Sequence, residues 1–111
     1  MDRLARPQFD GPVEPLRSGT VGSFEDLSIG LAGVGPEGAN IAIFGHGMNK
    51  MLRLKIGEAG ESQGVCVRLC AVWVDPTVRE DSPPGANASM AYYVVGRGSA
   101  PDCPNQISTD D

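Results

Sequence analysis

Val65-Cys66-Val67-Arg68-Leu69-Cys70-Ala71-Val72-Trp73-Val74 is the longest run of β-branched and apolar residues in the chain. It predicts a strand of about ten residues, roughly 33 Å long. Asp75-Pro76 closes it, because proline brings no amide to a ladder. Strict alternation puts Val65, Val67, Leu69, Ala71 and Trp73 on one face. Cys66, Arg68, Cys70, Val72 and Val74 fall on the other. Both faces are largely apolar, so the strand needs cover on both sides.

Downstream, Asp75 to Ser89 is a connection carrying Pro76, Pro83 and Pro84 and the acids Asp75, Glu80 and Asp81. Long loops of this kind are usually functional or mobile. Met90-Ala91-Tyr92-Tyr93-Val94-Val95 reads as a second strand with two apolar faces, ended by Gly96-Arg97-Gly98. Residues 99–111 read as a proline-punctuated tail.

Upstream, Gly57 to Gly64 reads as a flexible acidic hairpin loop. Met51 to Ile56 has the cleanest half-buried alternation, with Leu52, Leu54 and Ile56 opposite Met51, Arg53 and Lys55. Gly45-His46-Gly47 is a sharp break, preceded by a strand from Ala39 to Phe44. Gly35-Pro36-Glu37-Gly38 reads as a β-turn: proline presets its first corner and Gly38 supplies a positive φ at its end. Thr20 to Val34 is ambiguous. Ser23 and Asp26 resemble a helix cap, and Phe24, Leu27 and Leu31 have helical spacing, but Leu27, Ile29 and Leu31 also alternate. The strand reading is preferred, because Ala39–Phe44 offers a pairing partner.

Residues 1–19 read as an extended arm. Pro7, Pro12 and Pro15 interrupt any ladder, and Leu4, Phe9, Val13 and Leu16 are isolated among polar residues. Such a segment buries too little to order itself. It is either a free terminus or an arm laid over a neighbouring subunit, with Phe9 and Leu16 as anchors.

Composition narrows the function classes. With 111 residues, 15 glycines, 9 prolines and only six aromatic residues, the chain suits a single turn-rich β domain. Its net charge of −5 argues against a dedicated nucleic-acid binder. No apolar run is long enough to span a membrane, and the first residues lack the apolar region of a secretory signal. A virion or cytoplasmic setting is the expectation.

Three cysteines are present. On one strand, Cys66 and Cys70 lie about 13 Å apart, too far to bridge each other. The preferred reading is three reduced thiols, two of them buried as small hydrophobes. The alternative joins Cys103 to one of the other two.

Residues able to carry chemistry are sparse. Gly33, Gly35 and Gly38 match Gly-x-Gly-x-x-Gly, but no helix can follow, so the match reads as a glycine-rich turn. His46 is the only histidine. A zinc site of His46, Cys66, Cys70 and Cys103 has suitable ligand types, but strand geometry separates the cysteines. A Cys-His nucleophile pair has no local signature. The acidic pairs Glu80-Asp81 and Glu58/Glu61 lie in loops that read as solvated, where little favours a catalytic carboxylate. Asn87-Ala88-Ser89 matches the glycosylation acceptor and reads as accidental. Arg68 stands alone on an apolar strand, so it either leans out to water or meets a carboxylate across a subunit boundary.

The expected fold is all-β, a single small antiparallel β-sandwich or barrel with extended Pro-rich arms at both ends. The arms are residues 1–19 and 99–111, around a β domain at 20–98. The expected order is a meander of 27–34, 39–44, 51–56, 65–74 and 90–95, with 20–24 as an extra edge. Two-sided apolar strands expose surface that a lone sheet cannot hide. The functional expectation is therefore a non-enzymatic structural subunit of a larger assembly, such as a capsid-associated or decoration-type virion protein. Phe9, Leu16, Arg68, Val72, Tyr92 and Tyr93 are its candidate interface. Partners are expected to be proteins, copies of itself or a neighbouring subunit, with no nucleic acid, membrane, small-molecule substrate, cofactor or metal. The first alternative is a monomeric binding or inhibitor module using the acidic 75–89 loop. The remote alternative is a small His/Cys metal protein or enzyme.

Overall fold

Apolar residues at every second position turn this chain into strands, and short turns join those from β3 to β8. The computed structural model describes residues 8–75 and 89–107. Among these, every regular element is a strand: β1 (Gln8–Phe9), β2 (Glu14–Arg17), β3 (Val21–Phe24), β4 (Leu27–Val34), β5 (Gly38–Gly45), β6 (Met48–Lys55), β7 (Ala59–Ser62), β8 (Val65–Trp73), β9 (Met90–Arg97) and β10 (Gln106–Ile107). Two four-stranded antiparallel sheets form, ordered β3-β4-β5-β6 and β2-β9-β8-β7, and β1 pairs with β10. The sandwich expected from the sequence is the observed fold.

The core lies between the sheets. Leu27, Ile29 and Leu31 of β4, Ala39, Ile41 and Ile43 of β5, and Leu52 and Leu54 of β6 face Val65, Val67 and Leu69 of β8 and Ala91 and Tyr93 of β9. Each such buried aliphatic side chain contributes roughly 1.5–3 kcal/mol relative to exposure. The sheets are joined where the chain turns a corner. After β6, the Ile56 amide still bonds Glu37 of the first sheet, and the next amide, Gly57, bonds Leu69 of the second. At the opposite corner the Ser18 amide bonds Ser89, and the Gly19 amide bonds Leu31.

Several expectations are corrected. The run 57–64 is not simply a loop: Ala59–Ser62 forms β7 and pairs with β8, so the single meander breaks into two sheets there. Gln63-Gly64 makes the tight turn between them, with φ of 57° and 81°. Glu14–Arg17, read as arm, forms β2 on the edge beside β9. Pro15 is tolerated there because an edge strand has one side free of ladder bonds. Gly38 does not have a positive φ; it is needed because a Cβ would come within 2.2 Å of the Leu54 carbonyl oxygen.

The face assignment of β8 changes halfway along. A bulge between Leu69 and Ala71 makes Cys70 the extra residue. Up to Leu69 the expected inward set holds. Beyond the bulge, Val72 pairs with Ala91 and packs on the core, while Ala71 and Trp73 pair with Tyr92 and Met90 on the outer face. The three-thiol reading is also overturned. Cys70 and Cys103 form a disulfide with Cα atoms 5.6 Å apart, and Cys66 stays free. The bulge turns Cys70 toward the tail, a juxtaposition that spacing along the chain does not encode.

Candidate functional site

The outer faces of the two sheets differ, and the difference defines the candidate site. On β2-β9-β8-β7, Ala71, Tyr92 and Val94 are buried although they belong to no part of the inter-sheet core. Both ends of the chain lie on this side: the Phe9 ring is 5.9 Å from that of Tyr92, and Pro101 lines one hollow with Val94. Residues Ser99–Ile107 cross this face as a strap, fixed by the Cys70–Cys103 disulfide. Arg68 donates from Nε to the Pro101 carbonyl at 3.2 Å, and from a terminal nitrogen to the Gly57 carbonyl at 3.0 Å. Ser99 and Pro101 lie against Gly96 so closely that a Cβ there would meet the Ser99 carbonyl oxygen at 2.4 Å. The strap ends on the N-terminal segment: the Asp10 amide bonds Asn105, the Asn105 amide bonds the Asp10 carboxylate, and β1 pairs with β10.

Among the described residues, no such strap crosses the outer face of β3-β4-β5-β6. Register places Val21, Gly30, Ala42 and Met51 side by side across all four strands. Val21 is 59 % exposed and Met51 50 %. The Phe44 ring and the Val21 side chain close over Gly30, where a Cβ would meet them at 3.4 and 3.6 Å. The row is therefore a smooth apolar band. Beside it on β6, Arg53 and Lys55 project to solvent, while no carboxylate shares the outward positions of this sheet. A depression of about 560 Å³ adjoins the band's cationic end, lined by Asn40, Arg53, Lys55, Glu37 and Glu58 among others.

Compared with models of known protein families, with curated proteins and with solved structures, the chain matches none.

The six candidate interface residues all lie in or against the strapped sheet. Leu16 and Tyr93 are core residues, 4 % and 3 % exposed. Tyr92 is buried on the outer face, with the half-buried Phe9 ring 5.9 Å from its own. Val72 packs on the core. Arg68 neither leans free into water nor awaits a foreign carboxylate; two backbone carbonyls of its own chain hold it. These six are thus used within the chain. Of the large apolar residues left exposed, Val21 and Met51 lie on this face, while Ile56, expected on the buried side with Leu52 and Leu54, is 49 % exposed because β6 ends at Lys55. Met51, Arg53 and Lys55 are the solvent face already visible in the alternation of 51–56, and Val21 lies in the ambiguous stretch before β4. Residues 76–88, most of the acidic loop of the alternative reading, lie outside the described residues, as do Leu4, Asn87 and the last four residues.

A charged cluster occupies the end of the sandwich where three tight turns meet. His46 Nε2 lies 2.7 Å from Asp26 Oδ2, and Glu25 pairs with Arg97, whose guanidinium also reaches the Gln63 carbonyl. The His46 hydrogen bond, followed by a backbone one, holds the Asp26 carboxyl below its ordinary pKa. Both members of the His46–Asp26 pair are more than half exposed. The zinc ligand set is not assembled: His46 sits at this turn, and two of the cysteines are joined beneath the strap. Among the described residues, no three His, Cys, Asp or Glu side chains gather to hold a metal ion.

Proposed function

We propose that this chain is a non-enzymatic structural subunit that associates with further copies of itself through the outer face of β3-β4-β5-β6. The observation that carries the reading is the apolar row Val21, Gly30, Ala42 and Met51, exposed at Val21 and Met51, on a sheet face that no described segment straps. A contiguous apolar band of this kind marks an interaction surface. Its occupant follows from charge. Arg53 and Lys55 edge the band, whose strand positions hold no carboxylate although Glu37 and Glu58 line the adjoining depression, whereas the chain as a whole carries −5. The remainder of every copy is therefore acidic, and it complements this face. A coat or decoration-type virion subunit is the setting such a contact fits.

The absence of an enzymatic role in this reading draws support from the residues that could react. His46 pairs with Asp26 in solvent, and Cys70 and Cys103 are spent on each other. Sedimentation velocity over a range of concentration and salt tests the proposal. The chain is expected to self-associate, more weakly at high salt. Val21→Lys combined with Met51→Lys should leave a monomer with an unchanged unfolding midpoint, because both side chains are already solvated. A parent chain that stays monomeric at every concentration, or a double variant that associates as well as the parent, overturns it.

A further inference from the structure

We propose that Ser99–Ile107 is a releasable strap, and that the surface it leaves accepts the same segment of a second copy. The two chains would then be linked by reciprocal Cys70–Cys103 disulfides. This goes beyond association through the bare face, and it uses the opposite side of the sandwich.

Three observations carry it. First, none of the residues Ser99–Gln106 belongs to the inter-sheet core, and both four-stranded sheets pair without the strap. Second, the attachments among the described residues are one disulfide, the Arg68 bond to Pro101, the Asp10–Asn105 pair of bonds, the two-residue β1–β10 ladder, and close packing at Gly96 and Gly11. Third, the surface under the strap is shaped to it, with Gly96 admitting the Ser99 backbone and Val94 lining one hollow with Pro101. That surface is already complementary to one ligand, the strap itself. Gly98, with φ of 83°, supplies the turn from which the strap departs. Exchanging an identical element between copies keeps every contact and adds none that must be designed afresh.

The covalent step balances without a net oxidant. A small thiolate attacks one sulfur of the Cys70–Cys103 bond, forming a mixed disulfide and releasing the other as a thiolate. The freed Cys70 thiolate of one chain attacks the mixed disulfide at Cys103 of another and expels the small thiol. Two intramolecular bridges become two intermolecular ones, and the thiol is returned.

The test mixes isotope-labelled and unlabelled full-length chains, concentrated, with a small thiol–disulfide buffer. Alkylation, non-reducing electrophoresis and mass spectrometry of the linked peptides follow. The expected result is a covalent dimer in which labelled Cys70 peptides are joined to unlabelled Cys103 peptides. Cys66→Ser should form it equally well, and Cys103→Ser should not form it. Bridges that stay within one chain under these conditions, or dimers linked only through Cys66, overturn the proposal. The Val21→Lys/Met51→Lys chain separates this result from the previous one: it should lose reversible association and still exchange straps.

Discussion

At the scale of single residues, burial explains what type alone does not. Tyr93 lies 3 % exposed between the sheets, its hydroxyl near Gly22. Burial, and secondarily the Glu14 charge, push its phenol from 10.0 up to about 12. The unfolded chain therefore ionises this group first as pH rises. The stability from burying the neutral phenol is complete below pH 10 and is lost as pH climbs through 12. That gap is worth roughly 2–3 kcal/mol. An absorbance titration of phenolate should show one tyrosine ionising near pH 12, with the denaturant midpoint falling across the same interval. A tyrosine signal complete near pH 10, with the fold intact, would contradict the buried position. Arg68 makes the complementary point. A charge on an apolar strand suggested water or a foreign carboxylate, whereas two backbone carbonyls satisfy it within the chain. Backbone acceptors from distant segments leave no mark in the local sequence.

At the scale of elements, the bulge in β8 is the decisive feature. A slip of one residue moves every later side chain to the opposite face. Val72 thus joins the core, and the 37 % exposed Val74 follows the last β8 residue. Val72→Asp should destabilise by roughly 2–4 kcal/mol, through an unpaired carboxylate at the core edge. Val74→Asp should stay within about 0.5 kcal/mol, as surface changes usually do. Urea denaturation of the two variants checks the difference; equal losses would remove Val72 from the core. Most strands are legible in the sequence: alternation marks 39–44 and 51–56, the β-branched apolar run marks 65–74, and 27–34, whose spacing also suits a helix, follows from its pairing partner. β7 was missed because Ala59-Gly60-Glu61-Ser62 lacks a large apolar side chain. Gly60 packs there for a steric reason: a Cβ would press on Leu52 and Leu54 at 3.1–3.2 Å.

At the scale of the whole molecule, the chain lays its own ends on one outer sheet face, and no described segment straps the other. The disulfide is central to that asymmetry. It closes a loop between residues 33 apart, and on loop-entropy grounds its removal should cost roughly 3–4 kcal/mol. Reduction should nevertheless leave the sandwich folded, since none of the residues Ser99–Gln106 belongs to the core. Amide exchange should accelerate at Ser99–Asn105 and stay slow in β4, β5 and β8. Global unfolding on reduction would show instead that strap and sandwich form one cooperative unit.

The sequence by itself determined the all-β class, the hairpins of the first sheet and the two-sided character of β8 and β9. These depend on the alternation of neighbouring side chains, which any local stretch displays. Only the tertiary structure decided which face of β8 turns inward after Cys70, which cysteines join, that Leu16 is core, and which sheet face is strapped. Each of these follows from one-residue shifts in register and from contacts between segments far apart in the chain. Local periodicity carries no record of such contacts.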